Sequence, residues 1–284
     1  MYKREDFKGN NSLDTIIIRL DFLSIDQDNI GKIVQAISQI LGDEYKYSNI
    51  DNYNINLKIS DPKKLITQDF IEQKTDYKNN FEFKNDENGV RFVINNNFFL
   101  YERKKFENYE GSQSDTETYL KLLIEFFKYN VQVQRLGVRK INCFYTKNKI
   151  SCLKKIVKDK FMSEIDNEMN PKYSIVYTPL EKNDKNGYNL GMKLDYGVLE
   201  KNEKKQDVYR YILDIDSYIR DVEQIDKLEK ITEKITELKT KDFEIYISRL
   251  QNKFLETMVI RDNKEKFNEE IEKYGIIHGV NYGK

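Results

Sequence analysis

Along much of this chain apolar side chains recur at every second position in short runs set between polar turns, and only a few stretches switch to helical spacing. Residues 15–22 (TIIIRLDF) are rich in β-branched side chains and predict a strand. Asp28 and Asn29 suit the cap of a helix over 30–41, which Gly42 ends. Residues 53–59 and 81–84 alternate apolar with polar side chains, as strands with one wet face do. Residues 90–94 and 98–103 read as two more strands across the Asn95-Asn96-Asn97 turn.

Ser114 and Glu117 form a capping-box pattern ahead of Tyr119, Leu120, Leu123, Ile124, Phe126 and Phe127, which predicts a helix to about residue 129. Residues 131–145 predict a long strand with a bulge or bend at Gly137, and the basic stretch 147–160 predicts a helix. Strands are expected again at 173–178, 190–199 and 208–216, forming a second antiparallel sheet. From 219 to 258 the spacing of Val222, Ile225, Leu228, Ile231, Ile235 and Leu238 predicts nearly continuous helix, broken or kinked near Thr240-Lys241-Asp242. The glycine-rich end from Tyr274 has little periodicity.

These elements predict an α+β fold of two mainly antiparallel sheets with packed helices and a long C-terminal helical segment. The length of 284 residues suits two modest units, an N-terminal α+β subdomain over 1–145 and an antiparallel sheet with its long helix over 146–284. The heptad-like stripe at 222–238 is short for a coiled coil; it reads as a core-facing helix, with a homodimer through it as the other reading.

Composition changes this picture little. Twenty Tyr and sixteen Phe supply enough apolar area to fold a chain that is 34% charged. Forty-eight basic residues balance forty-eight acidic ones, so polyanion binding would have to be local. Cys143, Cys152 and His278 are too few for the usual four-ligand zinc site, and a reducing compartment is expected. With a polar N-terminus and no run near the ~18 apolar residues of a membrane span, a cytoplasmic location without membrane partners is expected.

No P-loop, dinucleotide-binding, zinc-protease or nucleophile-elbow motif is present, and no cofactor or metal is expected. Glu82 and Lys84 share one strand face as in the E-x-K half of a metal-dependent nuclease, with Asp61, Asp69 or Asp76 as the upstream acid. The plainer reading is the solvated side of an amphipathic strand whose Phe81 and Phe83 face the core. Asp214 and Asp216 share a face with Arg210, and Asp195 could approach from the preceding strand to complete an acidic cluster; ion pairing with Arg210 explains the same pattern.

Residues 134–160 carry Arg135, Arg139, Lys140, Lys147, Lys149, Lys154, Lys155, Lys158 and Lys160 against the single acid Asp159. With Phe144, Tyr145 and Phe161 interleaved, this segment could track a nucleic-acid backbone or meet a protein partner. A solvated lysine-rich face compensated by the acidic run at 214–229 is the competing reading.

The strand 136–142 (LGVRKIN), then 213–216 (LDID), then 250–254 (LQNKF) with a short helix behind it, resemble a sporadically distributed, uncharacterised family of prokaryotic proteins. That family is similar in length, with a G-[LV]-R-x-I-N strand and a C-terminal L-x-x-x-F helix. Lys140 stands where the family commonly has an aromatic residue, and Gln251 where a His often follows the Leu. The resemblance implies no activity; Arg139 and Asn142 are the positions it carries over, on opposite faces of the strand. Patchy distribution is compatible with a phage-defence or toxin-neutralising locus. The expectation is a non-enzymatic binding or accessory protein recognising a protein or nucleic acid, with a metal-dependent nuclease as the alternative.

Overall fold

A computed structural model of the chain describes residues 2–7, 12–50, 80–104, 109–146, 150–164, 173–180, 182, 185–201, 204–259 and 264–276. The strand expected at 53–59, the acids Asp61, Asp69 and Asp76, Lys147, Lys149 and His278 lie outside them. Strands β1 (Leu13–Phe22), β2 (Lys46–Ile50), β3 (Asn80–Asn85), β4 (Val90–Ile94), β5 (Phe98–Lys104) and β6 (Val133–Thr146) come from the first half. β7 (Tyr173–Pro179), β8 (Asn186–Lys201) and β9 (Lys204–Ile219) come from the second.

All nine belong to one antiparallel sheet, in the order β2-β3-β4-β5-β1-β6-β9-β8-β7. This corrects the expectation of two sheets. Eleven consecutive residue pairs, from Leu136 with Ile219 to Thr146 with Tyr209, join β6 to β9, so the sheet continues across residue 145. Both strands are long enough to overlap almost fully, and each covers an edge that would otherwise present unpaired backbone groups.

The helices are α1 (Gln27–Leu41), α2 (Tyr109–Phe127), α3 (Ile150–Ile156), α4 (Leu228–Arg249), α5 (Asn252–Met258) and α6 (Lys264–Glu272). Asp26, rather than Asp28 or Asn29, caps α1: its carboxylate accepts the Asn29 backbone N–H at 2.8 Å. The expected helix from 219 to 258 is instead the end of β9, a 3-10 turn at Val222–Gln224, and then α4 and α5. The interruption falls at Leu250 and Gln251, not at 240–242.

Alternation divides each strand between two faces. On one face Ile16, Ile18, Leu20 and Phe22 of β1 pack with Phe83, Phe92, Phe99, Tyr101, Leu136 and Val138. Buried side chains of α1, α2 and the first half of α4, including Ile231, Ile235 and Leu238, complete that cluster. A second cluster on the same face joins Phe144, Leu190, Met192, Tyr211, Leu213 and Ile215 to α3, α5, α6 and the second half of α4. All six α-helices therefore bury apolar residues on one side of the sheet, and the 231–238 stripe is spent there within a single chain.

Between the two clusters α4 crosses β6 and β9 over polar ground. Ser217 Oγ donates to the fully buried Asp242 carboxylate. Lys140 Nζ donates to the Lys239 carbonyl at 2.9 Å, and Asn142 Nδ2 to the Leu213 carbonyl at 3.3 Å. No helix of the described residues is long and apolar enough to cross a membrane.

Candidate recognition site on the helix-free sheet face

The opposite face of the sheet, on which none of the described α-helices packs, carries the odd-numbered residues of β1 and β6 and the even-numbered residues of β5 and β9. Register places Asp21 beside Arg135, Arg19 beside Gly137, and Gly137 beside Tyr218, so three neighbouring strands contribute to one patch. Arg19 Nε donates to Asp21 at 2.6 Å, and its guanidinium lies 4.4 Å from the centre of the Phe98 ring. Arg135 bridges Asp21, at 3.4 Å, and Asp216, at 3.1 Å. Arg139 grips Asp214 with two N–H groups, at 2.8 and 2.5 Å. Such forks hold a guanidinium at a fixed place and angle, because the planar donors match a carboxylate on one edge.

Buried apolar clusters flank this lattice: Val93, Phe98 and Leu100 toward β4 and β5, and Cys143 with Tyr145 toward the far end of β6. Burial, helped by the Asp14 carboxylate, pushes the Cys143 thiol up to about 12. At neutral pH it is therefore a protonated, weakly reactive side chain.

Farther along the same row sits a feature the sequence reading missed. Tyr218 of β9 is flanked in register by two glycines, Gly137 on β6 and Gly187 on β8. A Cβ at Gly137 would come within 2.9 Å of the Arg135 guanidinium, so its absence lets that side chain lie flat over the sheet. Gly137 thus makes room where a bulge was expected; the β1–β6 register shifts only near the ends of β1. A Cβ at Gly187 would meet the Tyr218 hydroxyl at 3.1 Å and the Tyr177 ring at 3.3 Å. Across that gap Tyr177 of β7 stacks on Tyr218, with ring centres 6.4 Å apart and planes 19° apart. Arg135 and Arg220 stand 5.2 and 4.9 Å from the Tyr218 ring centre.

The described residues of the basic segment 134–160 do not form one surface. Arg135 and Arg139 face the helix-free side, whereas Lys140 points to α4 and Asn142 is buried on that side too. Lys154 is exposed on α3, and Lys155 Nζ donates to the Lys273 carbonyl at 2.8 Å. Asp214 and Asp216 are tied to Arg139 and Arg135, and Asp195 is the register partner of Arg210 on β8. Glu82 shares Arg91 with Glu102, at 3.5 and 2.7 Å, while Lys84 pairs with Asp86 at 2.6 Å. Glu82 is thus engaged by a cation from the neighbouring strand. Among the described residues no three His, Cys, Asp or Glu side chains converge as a metal-ion site.

Extending the period-two pattern of 208–216 by one step would have put Tyr218 on the face of Asp214 and Asp216. Tyr177 and Arg220 carry no signal of their own, since what gathers them is the exact register of β7, β8 and β9, which alternation alone does not set. No family model matches the chain, and no curated protein matches it.

Proposed function

We propose that the protein is a non-enzymatic binding protein that takes hold of a nucleic acid with the helix-free face of its sheet. The supporting observation is the lattice of Arg19, Arg135 and Arg139 on adjacent strands, each guanidinium fixed on one edge by Asp21, Asp216 or Asp214. Orientation set before binding lowers the entropy cost of meeting a phosphate. The carboxylates cancel much of the local field, so affinity is expected to come from short-range contacts more than long-range steering.

The test is a salt series of binding to single- and double-stranded DNA and RNA, with Mg²⁺ present and product length checked on a gel. Wild-type protein binds at low salt and leaves the strands intact. Arg135→Gln weakens binding and makes log Kd less steep in log salt by about 0.7–0.9 per phosphate contact removed. Circular dichroism confirms that the variant folds. No binding of any nucleic acid at low salt overturns the reading and leaves a protein as the partner. Cleavage that disappears in Glu82→Ala would replace it with the nuclease alternative.

A further inference from the structure

Resting on that reading, we infer that Tyr177, backed by Tyr218 and flanked by Arg220 and Arg135, is a base-stacking platform for single-stranded nucleic acid.

The two rings differ in a way that fits such a platform. Tyr218 is buried, at 3% exposure, whereas Tyr177 is 46% exposed on the edge strand β7. One ring is a fixed base and the other presents area to solvent. An exposed aromatic ring held by stacking from behind loses little side-chain freedom when a second flat ring settles on it. Both glycines in register with Tyr218 serve the arrangement, Gly187 by letting the two rings meet over β8 and Gly137 by letting Arg135 lie beside them.

The cations distinguish this place from an ordinary aromatic contact. Arg135 is held by Asp21 and Asp216 and cannot move far. Arg220 is exposed, and its guanidinium has the Tyr218 ring but no carboxylate partner among the described residues. A base on Tyr177 would place its sugar-phosphate within the reach of the Arg220 guanidinium, which follows directly on the last residue of β9. Aromatic stacking with a neighbouring Arg accepts any base, because every base has a π-face, and requires that base to be unpaired. A duplex keeps its bases stacked inside and offers only phosphates, so the platform favours single strands.

The experiment is fluorescence anisotropy with labelled oligouridylate and oligothymidylate of about 12 nucleotides, a length near the upper range of single-strand sites, against a duplex of equal length. Wild-type protein prefers the single strands. Tyr177→Ala weakens single-strand binding about 5- to 150-fold, and Tyr177→Phe restores it to within about twofold, because stacking needs the ring and not the hydroxyl. Arg220→Gln lowers the salt slope for single strands by about 0.7. Both side chains are exposed, Tyr177 on the edge strand β7 and Arg220 just past the end of β9, so the variants are expected to fold as wild type does. Binding of single strands that is indifferent to Tyr177→Ala, or equal affinity for duplex, overturns the platform while leaving a nucleic-acid surface elsewhere on the face. No binding of either form overturns the platform together with the reading on which it rests.

Discussion

Replacing Phe99 with Ala is expected to lower the free energy of unfolding by about 3–5 kcal/mol, the range for deleting a fully buried aromatic ring. Phe99 is completely buried on β5, with Tyr119 stacked on it at 4.7 Å and Phe126 at 4.8 Å between ring centres. Phe92 approaches at 6.1 Å, so three rings from β4 and α2 pack on that position. Deleting the ring opens a cavity between a sheet and a helix that are both held elsewhere, and such a site collapses poorly. Urea unfolding followed by fluorescence and circular dichroism reads the change as a shifted midpoint with an unchanged slope. A loss below about 1 kcal/mol would mean that α2 does not seat on the sheet as described.

The second large effect is a dependence of stability on pH. Asp242 is fully buried in the apolar stripe of α4; Ser217 Oγ donates to one carboxylate oxygen, and the other has no hydrogen-bond partner among the described residues. Burial pushes the carboxyl up to about 8, outweighing the pull of Lys140 and Ser217 in the other direction; Asp214 and Asp216 push the same way as burial. In the unfolded chain the same group titrates near 3.9. The folded state therefore keeps a proton that the unfolded state releases. Its contribution is fully present below about pH 4, declines as pH rises, and levels off above the folded value near 8. The slope reaches at most about 1.4 kcal/mol per pH unit for one proton. Asp242→Asn keeps the shape and removes the titration, so wild type should lose on the order of a few kcal/mol between about pH 5 and pH 8 that the variant retains. Stability curves that run parallel across that range would show that Asp242 stays ionised, balanced by Lys140.

Much of the secondary structure was legible because single-face burial writes a period of two or of three to four into the chain. Residues 90–94, β-branched and aromatic but for Arg91 and set between turns, give β4 its expected bounds. The pairing of neighbouring strands was legible too, β4 with β5 and β7 with β8 and β9, but not how the two halves join. β6 and β9 pair Arg139 with Asp216 and Tyr145 with Arg210, residues more than sixty positions apart, and no local pattern encodes that neighbour. Register hid the platform, since Tyr177, Gly187, Tyr218 and Arg135 come from four strands whose alignment no local pattern sets. Asp242 misled in the opposite sense. A charge in the apolar stripe looks like an interruption, yet α4 runs through it because Ser217 offers a hydrogen bond and the carboxyl can hold a proton. The basic run failed as a surface for a geometric reason: a strand sends successive side chains to opposite faces, so Arg139 and Lys140 part company at once.

Photocrosslinking tests the central claim most directly. A 4-thiouridine oligonucleotide irradiated in complex with the protein, followed by digestion and mass spectrometry, locates the bound strand on one side of the sheet or the other. Adducts on β1, β6, β7 and β9 peptides containing Arg19, Arg135, Tyr177 and Tyr218 are the predicted result. Adducts confined to the helix layer, above all to α3 with its exposed Lys154, would contradict it and return the interaction to the basic helix.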